Sequence, residues 1–275
     1  MLSSELLGLP PDARVLIVNA DDLGMSRAVN AGVIAAVEEG IATSCSLMVP
    51  CPGAGQAMRL LRERPHVPFG IHLTLVRDHP LDRWAPVAPA GEVPTLVEAD
   101  GLLPRYGQVE RLVARARIEE VEREFRAQLD VVLAAGLHPT HLDFHSIADG
   151  GRDDVLDLAV ALAEEHRLAV RVWLEPGRRR ARRNGRPVVD HPFLDSTRLH
   201  PATKADRYAE LLRALPPGLT EWAVHPATAD RDGERGRRAD LEFLVSPLAR
   251  ELVADEGVVL VDYRPVQEAW NRVIP

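Results

Sequence analysis

Cysteine is nearly absent: Cys45 and Cys51 are the only two in a chain of 275 residues. They do not form a CxxC pair, which argues against a zinc knuckle or a redox motif, and so few in so long a chain argue against a disulfide framework. Both read as small buried hydrophobes in a reducing compartment. An excess of basic charge is also lacking. The formal net charge is −8, which argues against a nucleic-acid binder, since that affinity needs a basic face. No apolar run is long enough to cross a bilayer. The stretch from Met1 to Ala13 has neither a basic start nor a continuous apolar segment, so no signal peptide is expected. The expected location is the cytoplasm. Internal repeats and low-complexity tails are missing too.

What the chain does have is a hydrophobic content of 46%, enough for a sizeable core, at a length typical of one large α/β domain. Short apolar runs alternate with longer amphipathic segments. Strands are expected at 15–18, 43–49, 69–75, 140–144, 169–174, 220–224 and 258–261. Helices are expected at 26–39, 52–64, 108–135, 153–166, 203–215 and 239–254. A Pro- and Gly-rich stretch near 76–107 reads as a long loop or lid, and 175–202 as a second irregular insertion. The alternation predicts a parallel sheet with helices outside. The expected fold is α/β, a single parallel (β/α) barrel-like domain spanning 1–275, with about seven strands, closed or nearly so. In such barrels the chemistry sits at the C-terminal ends of the strands.

Polar residues fall at those ends. Asn19-Ala20-Asp21-Asp22 follows the first strand. An isolated pair of this kind reads first as a helix N-cap; the other strand ends change that weighting. His72 lies on the third strand, sharing a face with Thr74. The fourth strand puts His141, Asp143 and His145 on one face, where three ionisable groups would be costly to bury unpaired. A metal or a wet pocket relieves that cost, and a carboxylate such as Asp143 can orient a ligand imidazole. His225 ends the sixth strand, a position suited to proton transfer near neutral pH. An Asp with two His leaves coordination positions open for water and substrate, as metal-assisted hydrolysis requires.

In order, these motifs are Asn19-Ala20-Asp21-Asp22-Leu23-Gly24, Gly70-Ile71-His72-Leu73, Thr140-His141-Leu142-Asp143-Phe144-His145 and His225-Pro226. The sequence resembles the YdjC/ChbG-like carbohydrate deacetylase family from the first strand to near the C-terminus. The resemblance implies a deacetylase-type barrel that removes acetyl groups from N-acetylated amino sugars with one divalent metal ion, Mg²⁺ or Zn²⁺. It implies Asp22, His72 and His145 as metal ligands, Asp21 as general base and His225 as general acid. Arg171, Asn19 and Asp143 are the expected substrate-binding residues. One departure stands out. Where many members carry further histidines after the fourth strand, this chain has Ser146-Ile147-Ala148-Asp149-Gly150-Gly151.

The expected partner is a small carbohydrate, with neither nucleic acid nor membrane, and a homodimer is the candidate assembly. The competing functions are a metal-dependent amidase or esterase on a non-sugar substrate and a non-catalytic sugar-binding homologue. The arginines from Arg178 to Arg183 read as a solvated loop face, with a lid for an anionic substrate as the functional alternative. Trp84, Trp173 and Trp222 are candidates to stack on a sugar ring, with core packing favoured for Trp222.

Overall fold

Apolar residues crowd the segment from Arg14 to Leu23, and in the computed structural model it becomes the central strand β1 (Arg14–Leu23), buried along nearly its whole length. The structure describes residues 1–230 and 236–272. The other strands are β2 (Ser44–Leu47), β3 (Phe69–Leu73), β4 (His141–Phe144), β5 (Ala169–Val170), β6 (Leu194–Asp195), β7 (Gly218–Val224) and β8 (Val259–Leu260). The sheet runs β5-β4-β3-β2-β1-β7-β6, with β8 beside the first half of β1 through Val15↔Val259 and Leu16↔Leu260. Each of these ladders is parallel.

Parallel neighbours need crossover connections, and these put helices on the outer face. In chain order the helices are α1 (Ser3–Leu6), α2 (Arg27–Glu38), α3 (Ala54–Arg62), α4 (Val109–Arg115), α5 (Ile118–Ala134) and α6 (Asp153–His166). They continue as α7 (Glu175–Arg183), α8 (Lys204–Arg213), α9 (Arg237–Leu244), α10 (Pro247–Asp255) and α11 (Tyr263–Arg272). The twist of the parallel sheet curls it into a half-barrel whose concave face carries the polar residues named above.

All seven expected strands form. An eighth, β6, lies inside the stretch expected to be irregular. The barrel is not closed: among the described residues no ladder joins β5 to β6. β5 is two residues long, and the chain soon turns away from it into α7. Side chains span the gap instead. Arg171 Nε donates to Glu221 Oε1 at 2.8 Å, and the rings of Trp173 and Phe193 stack with centroids 3.4 Å apart.

Two expected helices are each split. The 108–135 segment breaks at Ala116, whose ψ of 125° is extended. Arg152 Nη1 takes up carbonyls freed there, Val113 O at 2.9 Å and Ala116 O at 2.6 Å. The 239–254 segment breaks before Pro247, which lacks an N–H and disfavours helix in the residue before it. Ser246 Oγ then caps α10 by accepting from Ala249 N at 3.1 Å. The arginine cluster lies on α7 rather than on a loop. Arg178 is buried and ion-paired with Glu175, and Arg182 Nη2 donates to Val189 O at 2.8 Å.

The 76–107 insertion is tied down by acidic residues on the inner face of α5. Glu124 accepts from Val87 N at 3.0 Å and Ala88 N at 2.9 Å, and Glu120 accepts from Thr95 N at 2.6 Å. Trp84 and Trp222 are both in the core, each 2% exposed, and so offer no face to a sugar. No helix among the described residues is long and apolar enough to cross a membrane.

Candidate active site

Adjacent residues in a regular strand point to opposite faces, yet Asp21 and Asp22 both line one cleft. A bulge explains this. β1 pairs with β2 through Asn19↔Ser44 and Ala20↔Cys45, then slips before Leu23↔Leu47. Asp22 takes up the slip at φ 71°, a left-handed conformation costing a non-glycine residue about 1–2 kcal/mol. Bulges re-aim side chains in this way. Gly24 follows at φ 99°, and a Cβ there would stand 2.7 Å from Met48 O.

His72 and His145 converge on Asp22. His72 Nε2 lies 3.5 Å from Asp22 Oδ1, and His145 Nδ1 lies 3.3 Å from the same oxygen. The three ligand atoms fall within 4.8 Å of one another, and all three residues are buried. Asp22 Oδ1 is a buried oxygen with no hydrogen-bond partner, while Oδ2 accepts from Arg237 Nη2 at 2.7 Å. A lone carboxylate oxygen facing two imidazole nitrogens fits a divalent cation with open coordination positions. Each ring has a carboxylate on its far nitrogen. Asp143 Oδ1 lies 2.8 Å from His72 Nδ1, and Asp78 Oδ1 lies 2.8 Å from His145 Nε2. Such partners fix the ring orientation and raise ligand basicity.

The electrostatics favour positive charge at this point. Burial works against protonating either ring, but Asp143 and Asp21 outweigh it at His72, which is pushed up to about 9. Asp78 and Asp22 do the same at His145, pushed up to about 10. Burial also opposes ionising Asp22, yet Arg237 and the two imidazoles hold its carboxyl well below the usual range.

Beneath Asp21 lies a buried cation shared by three carboxylates. Arg171 donates to both Asp21 oxygens, at 2.9 and 2.8 Å. It also pairs with Asp143 Oδ2 at 2.9 Å and Glu221 Oε1 at 2.8 Å. Burial raises the Asp21 carboxyl, and Arg171 then carries it below its ordinary value. Asn19 Nδ2 donates to Asp21 Oδ1 at 2.6 Å and to Ser46 Oγ at 2.7 Å. Ser46 Oγ in turn donates to Asp143 Oδ2 at 2.6 Å.

Asn19, Asp143 and Arg171, expected to touch substrate, therefore support the site from below. None of the three lines the cleft. Asn19 sits two residues before Asp21 on the same strand face, which puts it deeper in the sheet. His141 is also fully buried and does not line the cleft. Its ring stacks on Tyr263 with centroids 3.6 Å apart, and a Cβ on Gly70 would come within 2.4 Å of its Nε2.

The cleft has a volume of about 370 Å³, within the range of small-ligand sites. His225, at the end of β7, stands on its wall with Trp173, Phe193 and Arg198. The departure after β4 has a structural use. Asp149, at φ 50°, accepts from Trp173 N at 2.8 Å and Leu174 N at 3.0 Å. It thereby fixes Trp173 beside the cleft and orders the entry to α7. Sequence reasoning missed Asp78, Ser46, Glu221 and Arg237. Asp78, just past the expected third strand, sits where the strand-end rule should have found it. Arg237, on a helix far along the chain, gives no such signal.

The fold and site define an α/β protein in which a curled parallel half-barrel carries, at its strand ends, an Asp-His-His cluster that could hold a metal ion. The chain belongs to the YdjC-like protein family, whose sequence profile matches residues 15–255. It is 36% identical over 258 residues to a carbohydrate deacetylase of Geobacillus stearothermophilus, covering 91% of this chain and 97% of that protein. It is 28% identical over 259 residues to a chitooligosaccharide deacetylase of Serratia marcescens, covering 91% and 98%. A crystal structure of a candidate cellobiose-phosphate cleavage protein from Enterococcus faecalis V583 superposes with a TM-score of 0.78 at 27% identity, covering 91% of this chain and 98% of that one.

Proposed function

We propose that this chain is a hydrolase that removes the acetyl group from an N-acetylated amino sugar or a related carbohydrate, using one divalent metal ion held by Asp22, His72 and His145. The observation that carries the reading is the division between two adjacent carboxylates. Asp22 presents an unpartnered oxygen to two imidazoles, while Asp21 is gripped by Arg171. Near-full-length relatives named as deacetylases of carbohydrate and chitooligosaccharide support the substrate class.

A divalent ion supplies a Lewis acid there, of the Mg²⁺ or Zn²⁺ kind that mixed Asp and His ligation accepts. The protein supplies the proton traffic. Asp21 is the general base. Arg171 keeps it ionised and fixes both oxygens, at some cost in basicity. Water loses a proton to Asp21 as its oxygen bonds to the acetamide carbon. The C–N bond breaks, and His225 gives a proton to the departing nitrogen. The products are acetate and a free amine. Trp173 and Phe193, stacked on each other, supply the apolar part of the cleft wall beside which a sugar would sit. Two free, buried cysteines support a cytoplasmic setting.

The test is acetate release from a panel of N- and O-acetylated sugars set against simple amides and esters, with each divalent metal added back after chelation. Turnover of acetamido sugars that is lost on chelation and restored by metal is the expected result. Turnover confined to non-sugar amides or esters overturns the substrate assignment.

A further inference from the structure

His225 does not stand alone on the cleft wall. Its Nδ1 lies 2.9 Å from Ser196 Oγ, just beyond β6. Ser196 Oγ donates to Asp240 Oδ2 of α9 at 2.7 Å. A serine hydroxyl has a single proton to give. With that proton committed to the carboxylate, Ser196 can meet His225 only as an acceptor. The hydrogen in the 2.9 Å contact therefore sits on His225 Nδ1.

Asp240 is built to hold that commitment. It is fully buried. Its Oδ1 accepts from Lys204 Nζ at 2.7 Å and from Tyr208 Oη at 2.7 Å, both on α8. Its Oδ2 takes the backbone N–H of His225 itself at 3.1 Å along with the Ser196 hydroxyl. Four donors thus fill a carboxylate's acceptor sites. Bonds to an ionised acceptor are the stronger kind, so the serine proton stays with Asp240 rather than turning to the imidazole.

We propose that Ser196 is a positioning residue for His225. It carries the influence of buried Asp240 to the ring and holds the Nδ1–H tautomer, so that Nε2 is the nitrogen that exchanges protons in the cleft. The inference rests on the reading of His225 as the proton donor. To give a proton from Nε2 the ring must carry a hydrogen on each nitrogen, and the loss of the Nε2 hydrogen leaves the Nδ1–H tautomer from which Ser196 accepts; a ring free to rotate would not keep Nε2 toward the cleft. The serine removes that freedom, much as a carboxylate orients a catalytic imidazole.

Two measurements test it. The first is the ¹⁵N imidazole spectrum of the whole protein, with the His225 signals assigned by their loss in a His225→Gln variant. Neutral His225 should carry its proton on Nδ1. A proton on Nε2 overturns the proposal. In Ser196→Ala the Nδ1–H preference should disappear. The second is kinetic. Ser196→Ala should lower kcat by roughly 10–100-fold, part of the 10²–10⁴ that general acid catalysis supplies. KM should stay unchanged, since Ser196 does not line the cleft and its loss falls on proton transfer rather than on substrate binding. Ser196→Thr, which restores a hydroxyl, should recover most of the loss. A Ser196→Ala protein with wild-type kcat also overturns the proposal. A wild-type chain that turns over no acetylated sugar, yet shows Nδ1–H at His225, refutes the deacetylase reading while supporting the relay.

Discussion

Arg171 grips Asp21 with both terminal nitrogens, Nη1 to Oδ2 at 2.9 Å and Nη2 to Oδ1 at 2.8 Å. The same guanidinium pairs with Asp143 and Glu221, and all four groups are buried. Removing one member of a buried ion pair leaves uncompensated charge and costs about 3–5 kcal/mol. Arg171→Met should destabilise the protein by about that amount in urea unfolding. Arg171→Lys should keep the charge and lose the two-pronged grip, with less destabilisation and a large fall in kcat. If Arg171→Met unfolds at the wild-type midpoint, the network does not hold the sheet together.

Asp21→Asn keeps the shape of the side chain and removes its ability to accept a proton. Turnover should fall by about 10²–10⁴, while calorimetry shows metal affinity near that of the wild type. Metal binding lost together with activity would mean that Asp21 is a ligand instead.

Asp78 should behave as an orienting partner of His145, whose Nε2 lies 2.8 Å from Asp78 Oδ1. Asp78→Asn should weaken metal affinity by about 10–100-fold, the usual effect of losing such a partner. Unchanged affinity by titration calorimetry would remove Asp78 from the site.

The raised histidines make the metal-free protein sensitive to pH in a definite direction. His72 moves from 6.5 to about 9 and His145 from 6.5 to about 10. A group whose folded pKa is raised contributes stability that is complete below its unfolded pKa and is lost as pH rises through the folded one. The chelated protein should therefore lose stability between pH 6.5 and about 10. Because ligand imidazoles must be neutral, metal affinity should rise over the same window. Melting curves with and without metal should diverge as pH rises; parallel curves would contradict both shifts.

Gly32 lies in α2, where alanine ordinarily gains about 1 kcal/mol. Here a Cβ would stand 2.4 Å from Ala227 Cα and 2.8 Å from Pro226 O. These are backbone atoms of the segment immediately after His225, so they cannot move aside without shifting it. Gly32→Ala should instead destabilise by about 1–3 kcal/mol and reduce kcat more than a stability loss of that size explains. A more stable, fully active Gly32→Ala would show that the contact is loose.

Much was legible in the sequence because its signals are local. Period-two alternation over 69–75 and 140–144 marked β3 and β4, and the residues brought together at Asp22 all lie at or near strand ends, as the parallel-barrel rule anticipates. The motifs around Asp21, His72, Asp143 and His145 were enough to identify the family. Packing decided the rest. Whether Asp21 and Asp22 face one cleft depends on a bulge, which arises from pairing with β2 and leaves no period in the chain. Whether the barrel closes depends on how far β5 and β6 extend. Asn19, Asp143 and Arg171 look like substrate contacts on a list of strand-end polar residues, and only depth in the sheet makes them supports for Asp21 and His72. Asp240 and Ser196 are 44 residues apart, and no local pattern couples them. Side-chain periodicity reports which face a residue takes; its partner across the fold is set by the tertiary contacts that bring the elements together.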